Sequence, residues 1–149
     1  MEERHTCKLV TDLMLTRKNE RSGAEEVLLA LRKNTGYRDG EYELPGGHVD
    51  AGEDLMNAMV REAKEELNIE VKEENLKIAH ILHHYNRDRI NFILTTDIYE
   101  GVPSIGEPDK CEKLELFDIK NLPSNIIPKA RKSIEEINSS IFYSKLWKE

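Results

Sequence analysis

The sequence predicts an α/β (α+β) fold, a sandwich in which a mixed β-sheet carries a helix packed on each side. Three observations predict it. Strand-length apolar or alternating segments recur along the chain, two longer stretches carry apolar residues at helical spacing, and polar or glycine- and proline-containing turns separate them. The length, 149 residues, fits one domain spanning residues 1–149 with its own hydrophobic core.

From the N-terminus, residues 5–16 place Leu9, Thr11, Leu13 and Leu15 at period two, the pattern of a half-buried strand. A polar turn at 18–23 leads into Val27–Leu31, a continuous apolar run that reads as an interior strand. After the loop at 34–40, a short strand over 42–44 ends at Pro45-Gly46-Gly47. Leu55, Met59, Ala63 and Leu67 recur every four residues and give the helix over 53–67 its core-facing stripe. Residues 78–85 and 90–99 read as two strands around an Asn86-Arg87-Asp88 turn, and 113–119 as another strand. Ile127, Ala130, Ile134, Ile137 and Ile141 form a second helical stripe, predicting a C-terminal helix over about 125–145 with Pro128 in its first turn.

Composition narrows the function. Lys plus Arg total 22 against 29 Asp plus Glu, a net charge of −7. That balance argues against stable nucleic-acid binding and against anionic membranes, while leaving room for a local basic cleft. No apolar run approaches the roughly 20 residues of a membrane span. The N-terminal residues show no basic segment followed by an apolar one. Cys7 and Cys111 lie far apart without metal-ligand spacing, so the expected state is two reduced thiols in a cytoplasmic protein.

The chemistry concentrates in residues 47–69, GHVDAGEDLMNAMVREAKEELNI. Glu62, Glu65 and Glu66 stand at i, i+3 and i+4 and share one helical face beside the apolar stripe. Like charges at that spacing repel, and a divalent cation among them relieves the repulsion. An all-carboxylate set that leaves positions to water and phosphate suits Mg²⁺, and no Cys or His on the face favours zinc. On its own, such a trio is more often a solvated face.

The whole stretch resembles the Nudix box, G-x5-E-x7-R-E-U-x-E-E-x-G-U with U a bulky aliphatic. Gly47, Glu53, Arg61, Glu62, Glu65, Glu66 and Ile69 match; Ala63 replaces the first aliphatic and Asn68 the second glycine. Both departures touch packing or capping, since Asn is the best non-glycine residue for a left-handed helix end. The resemblance implies a Nudix-type α/β/α sandwich with a loop–helix–loop box. It also implies MutT-like pyrophosphohydrolase chemistry, with water attacking phosphorus in a nucleoside diphosphate linked to another group. It implies Mg²⁺ or Mn²⁺ as cofactor, with Glu62 and Glu66 as principal ligands and Glu65 as a further ligand or the group positioning water. Glu53 would assist and Arg61 would brace the box through ion pairs. Asp50 and Glu53 also have the spacing of a capping box.

Around the box, Gly46 and Gly47 would let backbone approach phosphates, or simply end a strand. Glu107 and Glu112, on the loop at 106–112, are candidates for the base or a ligand. Arg32 is a candidate phosphate contact, along with Lys33, Arg38, Arg87 and Arg89. Tyr85 stands where the dinucleoside-polyphosphate hydrolases of the family carry a tyrosine. His80 and His84 alternate with His83 along a strand, so the three do not converge on one metal.

The leading expectation is hydrolysis of a nucleoside triphosphate, (d)NTP, to the monophosphate and pyrophosphate. Nucleotide sugars such as ADP-ribose and dinucleoside polyphosphates are the alternatives on the same machinery. A non-catalytic nucleotide-binding module is the alternative from a different class, disfavoured because the box glutamates are intact. Dimers are frequent in the family, which leaves a homodimer open.

Overall fold

The computed structural model describes residues 2–148. Its strands are β1 (Lys8–Leu13), β2 (Thr16–Lys18), β3 (Glu25–Arg32), β4 (Tyr42–Glu43), β5 (Gly46–His48), β6 (Lys77–His84), β7 (Arg89–Thr95), β8 (Cys111–Asp118) and β9 (Tyr143–Leu146). The helices are α1 (Leu55–Leu67) and α2 (Pro128–Asn138), with a 3₁₀ turn at Glu73–Asn75. The strands divide between two sheets. A mixed five-stranded sheet runs β5-β1-β7-β6-β9, parallel at β1/β7 and β6/β9. An antiparallel sheet is centred on β3, with β8 along one edge and β2 and β4 along the other.

Two hydrophobic clusters fill the layers. One joins α2 through Ala130 and Ile134 to Val27 and Leu29 of β3, Leu82 of β6 and Ile93 of β7. The other joins the α1 stripe Met59, Ala63 and Leu67 to Leu13, Leu28 and Leu94. Alternate residues of β3 therefore point into different clusters, which is why its apolar run is continuous. β1 departs from the expected half-buried strand: Val10 to Leu15 are all buried, on both faces, because α1 covers one side and the sandwich interior the other.

The C-terminal helix is shorter than its stripe suggests. It stops at Asn138, and Ser140 takes a left-handed φ of 60° while the Ile141 N–H bonds the Glu136 carbonyl and the Ser140 N–H bonds that of Ile137. This is a Schellman ending with serine in the seat usually held by glycine. Ile141 thus leaves the helix, and the chain returns as β9 beside β6. The predicted strand over 90–99 likewise ends at Thr95. Among the described residues no helix is long and apolar enough to cross a membrane.

Candidate active site

The site forms where β5 runs beside α1. The Gly46 N–H donates to Glu66 Oε2 at 3.0 Å, tying the strand to the helix. A side chain at Gly46 would meet backbone, and one at Gly47 would displace the Glu62 carboxylate. A Cβ on Gly46 would lie 2.1 Å from the Thr11 carbonyl oxygen, and one on Gly47 would lie 2.3 Å from Glu62 Oε1. The Gly-Gly pair is therefore the close-approach segment of a strand, not a turn, and β5 pairs with β1 through Val10 opposite His48.

Asp54 caps α1, its side chain accepting from the Asn57 N–H at 2.8 Å. The Asp50–Glu53 pair accordingly does not cap the helix. It closes the preceding turn, with Glu53 Oε1 accepting from the Asp50 N–H at 2.9 Å. At its far end α1 stops on Asn68, whose φ of 55° is the left-handed conformation expected of it.

Arg61 organises the acidic face. Its Nε reaches Glu53 Oε2 at 2.7 Å, and one terminal nitrogen reaches Glu62 Oε1 at 3.0 Å and Glu65 Oε2 at 3.1 Å. The other terminal nitrogen donates to the His48 carbonyl at 3.1 Å and to Glu53 Oε1 at 2.9 Å. The bidentate guanidinium contact holds the Glu53 carboxyl down to about 2. Both Glu53 oxygens are thus committed to Arg61 and the Asp50 N–H, and Glu53 stays behind the cleft wall.

Glu62, Glu65 and Glu66 do line that cleft, whose volume is about 750 Å³. Burial, then the charges of Glu62, Glu107 and Asp12, push the Glu66 carboxyl up to about 8. Burial also raises Glu62 against the opposing pull of Arg61. Such shifts mark negative charge without sufficient compensation. The donor set is all carboxylate oxygen, the preference of a hard divalent cation. Among the described residues no three Asp, Glu, His or Cys side chains form a closed ligand set as they stand. Glu62 and Glu65 are turned to Arg61, and Glu66 to the Gly46 N–H. A cation entering here would draw them from those partners.

The loop after β7 completes the acidic wall. The Gly106 N–H donates to the Glu66 carbonyl at 2.9 Å, and a Cβ on Gly106 would lie 2.0 Å from the Glu65 carbonyl oxygen. The Asn68 side chain also holds Ser104 Oγ at 3.0 Å. The loop therefore seats on the C-terminal turn of α1 and brings Glu107 to the cleft. Glu112 is not among the cleft-lining residues: it is exposed and falls at an irregularity of β8, where Leu31 pairs with Lys113 and the next residue, Arg32, with Cys111.

The sequence profile of the NUDIX domain matches residues 9–137. The chain belongs to the NUDIX domain family. An ADP-ribose pyrophosphatase of Methanocaldococcus jannaschii is 34% identical over 102 residues, which is 66% of this chain and 57% of that protein. The chain thus spans little more than half the length of this curated relative. A MutT NUDIX hydrolase from Burkholderia pseudomallei shares 25% identity at a TM-score of 0.75, covering 87% of this chain and 97% of that one. A MutT protein from Methanosarcina mazei Go1 has the same fold, with 17% identity and a TM-score of 0.72 over 93% of this chain and 97% of that one.

Within this NUDIX fold two further expectations change. Tyr85 is not among the cleft-lining residues; it is 38% exposed, with its ring 4.8 Å from that of Trp147. Arg32 lines the cleft but is already engaged. Its Nε holds the Tyr37 carbonyl at 2.8 Å, and its terminal nitrogens hold Thr35 Oγ1 at 2.9 Å and Glu43 at 3.3 Å. It ties down the 34–40 loop rather than offering a free guanidinium to phosphate.

The sequence reading missed the cleft floor. Asp12 is buried, accepts from the Asn91 amide at 2.9 Å, and is pushed up to about 7, chiefly by burial. Lys129, in the first turn of α2, is equally buried and lies 3.5 Å from Glu43. A charged residue inside an otherwise apolar strand, as Asp12 is within Val10–Leu15, was the available signal.

Proposed function

We propose that this protein is a divalent-metal-dependent pyrophosphohydrolase cleaving a nucleoside diphosphate linked to another group, with a (d)NTP as leading substrate. The observation that carries the reading is the convergence of Glu62, Glu65, Glu66 and Glu107 on one cleft beside the Gly46–Gly47 backbone. Glu62 and Glu66 are the principal metal ligands and Glu65 the further ligand, with Mg²⁺ or Mn²⁺ the fitting ions. Bound there, the cation neutralises phosphate oxygens and acidifies the attacking water.

The chain's own groups do the rest. Arg61 holds Glu62 and Glu65 at the cleft until a cation takes them over, and it anchors Glu53 behind them. Gly46 and Gly47 leave the strand without side chains where diphosphate must approach. Glu107 accepts the proton of the water that attacks phosphorus, and the loop docked on α1 holds it in place. The acidic wall alone would repel a diphosphate, so cation and substrate bind interdependently.

ADP-ribose is the second reading, favoured by the pyrophosphatase relative at 34% identity. A panel of (d)NTPs, ADP-ribose, other nucleotide sugars and dinucleoside polyphosphates, incubated with Mg²⁺ or Mn²⁺ and read by product identity, tests both. Monophosphate plus pyrophosphate supports the first, and AMP plus ribose 5-phosphate the second. Saturable nucleotide binding without any metal-dependent product would make the protein a binding module.

A further inference from the structure

The last carbonyls of a helix find no partner within it. For α1 the segment between β7 and β8 supplies two. The Ser104 N–H donates to the Leu67 carbonyl and the Gly106 N–H to that of Glu66, each at 2.9 Å. Core packing holds this segment little. Ile98 and Val102 are 63% and 84% exposed, and among the described residues the two hydrophobic clusters include neither them nor Ile105. A side chain of the helix cap reaches it instead. The Asn68 amide nitrogen lies 3.0 Å from Ser104 Oγ and 3.4 Å from the Ile105 carbonyl oxygen. A carbonyl only accepts, so the amide nitrogen must face it as donor. Asn68 therefore has two separable roles. Its backbone, at a φ of 55°, ends α1, and its side chain clasps the loop two residues before Glu107. Glycine, which the box motif carries at this position, could perform only the first.

We infer that Asn68 is a positioning residue for the reaction, its side-chain amide holding the loop so that Glu107 stays at the acidic wall. This rests on the pyrophosphohydrolase reading with Glu107 as the base. Glu107 sits between two attachments. Downstream, the Lys110 and Cys111 N–H groups donate to the Glu107 carbonyl at 3.0 Å. On the β3 side, Lys33 Nζ donates to the Pro108 carbonyl at 3.3 Å and the Asn34 amide to that of Asp109 at 3.2 Å. Upstream, the attachment is the end of α1, and Asn68 supplies its side-chain part. Without that clasp Glu107 stays hinged on the downstream turn and loses its fixed distance to the helix. A base accepts a proton only within hydrogen-bond reach, so the time it spends out of place is lost to catalysis. Both clasp bonds are exposed to solvent and add little to global stability. Their signature is therefore kinetic. A tenfold loss of rate corresponds to about 1.4 kcal/mol, the net worth of one or two hydrogen bonds.

Asn68→Gly separates the two roles, because glycine takes the left-handed φ and carries no side chain. The variant should melt within about 3 °C of the wild type. Its Mg²⁺-dependent kcat should nonetheless fall about tenfold, with KM changed less than about twofold. Ser104→Ala leaves the cap untouched and the Ile105 carbonyl in reach, so kcat should fall only about threefold. Added to Glu107→Gln, Asn68→Gly should cost nothing further, since the position of an absent base no longer matters. An effect passing through Glu66 or the metal would instead multiply with the loss of Glu107. Independently of turnover, the Ser104 and Gly106 amides should exchange hydrogen about tenfold faster in Asn68→Gly, with the amides inside α1 unchanged. Wild-type kcat in Asn68→Gly, unaltered exchange at Ser104 and Gly106, or a further loss in the double variant overturns the inference and leaves the hydrolase reading standing. Wild-type kcat in Glu107→Gln removes the base from that reading, and the role of Asn68 with it.

Discussion

Replacing Glu66 by Gln separates the two roles the structure gives this side chain. Gln has the same shape, and its carbonyl can still accept from the Gly46 N–H now held at 3.0 Å. What disappears is a buried carboxyl pushed from 4.5 to about 8 by burial and by Glu62, Glu107 and Asp12. An acid whose folded pKa is raised keeps a proton that the unfolded chain has released. Stability without metal therefore falls as pH rises from about 4.5 to about 8 and is flat above. At pH 7, some 2.5 units above the unfolded value, the penalty is about 3 kcal/mol, at 1.36 kcal/mol per unit. Metal-free Glu66→Gln should then be more stable than the wild type by a few kcal/mol at pH 7–8, and the gap should close toward pH 5. Its Mg²⁺-dependent turnover should fall at least about a hundredfold through loss of a ligand, and Mg²⁺ should no longer raise its melting temperature. Urea denaturation across pH, with and without Mg²⁺, and single-substrate kinetics measure all three. A variant that is less stable than wild type at pH 8, or one that turns over at near-wild-type rate, refutes the reasoning.

Three further outcomes follow from the same geometry. Gly47→Ala puts a methyl 2.3 Å from Glu62 Oε1, so that carboxylate must move; turnover should drop about tenfold or more, while stability changes by only about 1–2 kcal/mol, as kinetics beside thermal melts would show. Glu107→Gln should lower kcat by about a hundredfold with KM little changed, whereas Glu112→Gln, exposed and outside the cleft lining, should match the wild type. Apparent Mg²⁺ affinity, followed by calorimetry, should rise steeply from pH 6 to about 8 and level off above, because the proton on Glu66 competes with the cation.

The box was legible in the sequence because its constraints are local. The four-residue apolar stripe, the i, i+3, i+4 glutamates and an asparagine suited to a left-handed cap all act within α1, and the structure places each accordingly. Elsewhere the deciding interactions are between distant segments. β5 consists of Gly46, Gly47 and His48, poor strand formers whose strand exists because β1 pairs with them. The end of α2 was hidden because a serine occupies the left-handed seat and the isoleucine stripe runs on past it. Asp12 and Lys129 meet the cleft only after β1 and α2 have packed, so no spacing in the chain announces them. The placement of Tyr85 and Glu112 was hidden for another reason: Tyr85 lies just past the end of β6 and Glu112 at an irregularity of β8, so the alternation of a regular strand does not say which way either side chain points.

The claim beneath the rest is that the acidic face of α1 holds a divalent cation. Anomalous diffraction from crystals grown with Mn²⁺ tests it most directly. The predicted result is a peak within about 2.3 Å of Glu62 and Glu66 oxygens, with Glu62 drawn away from Arg61. Carboxylates still paired with Arg61 and Gly46, and no manganese between them, would contradict it.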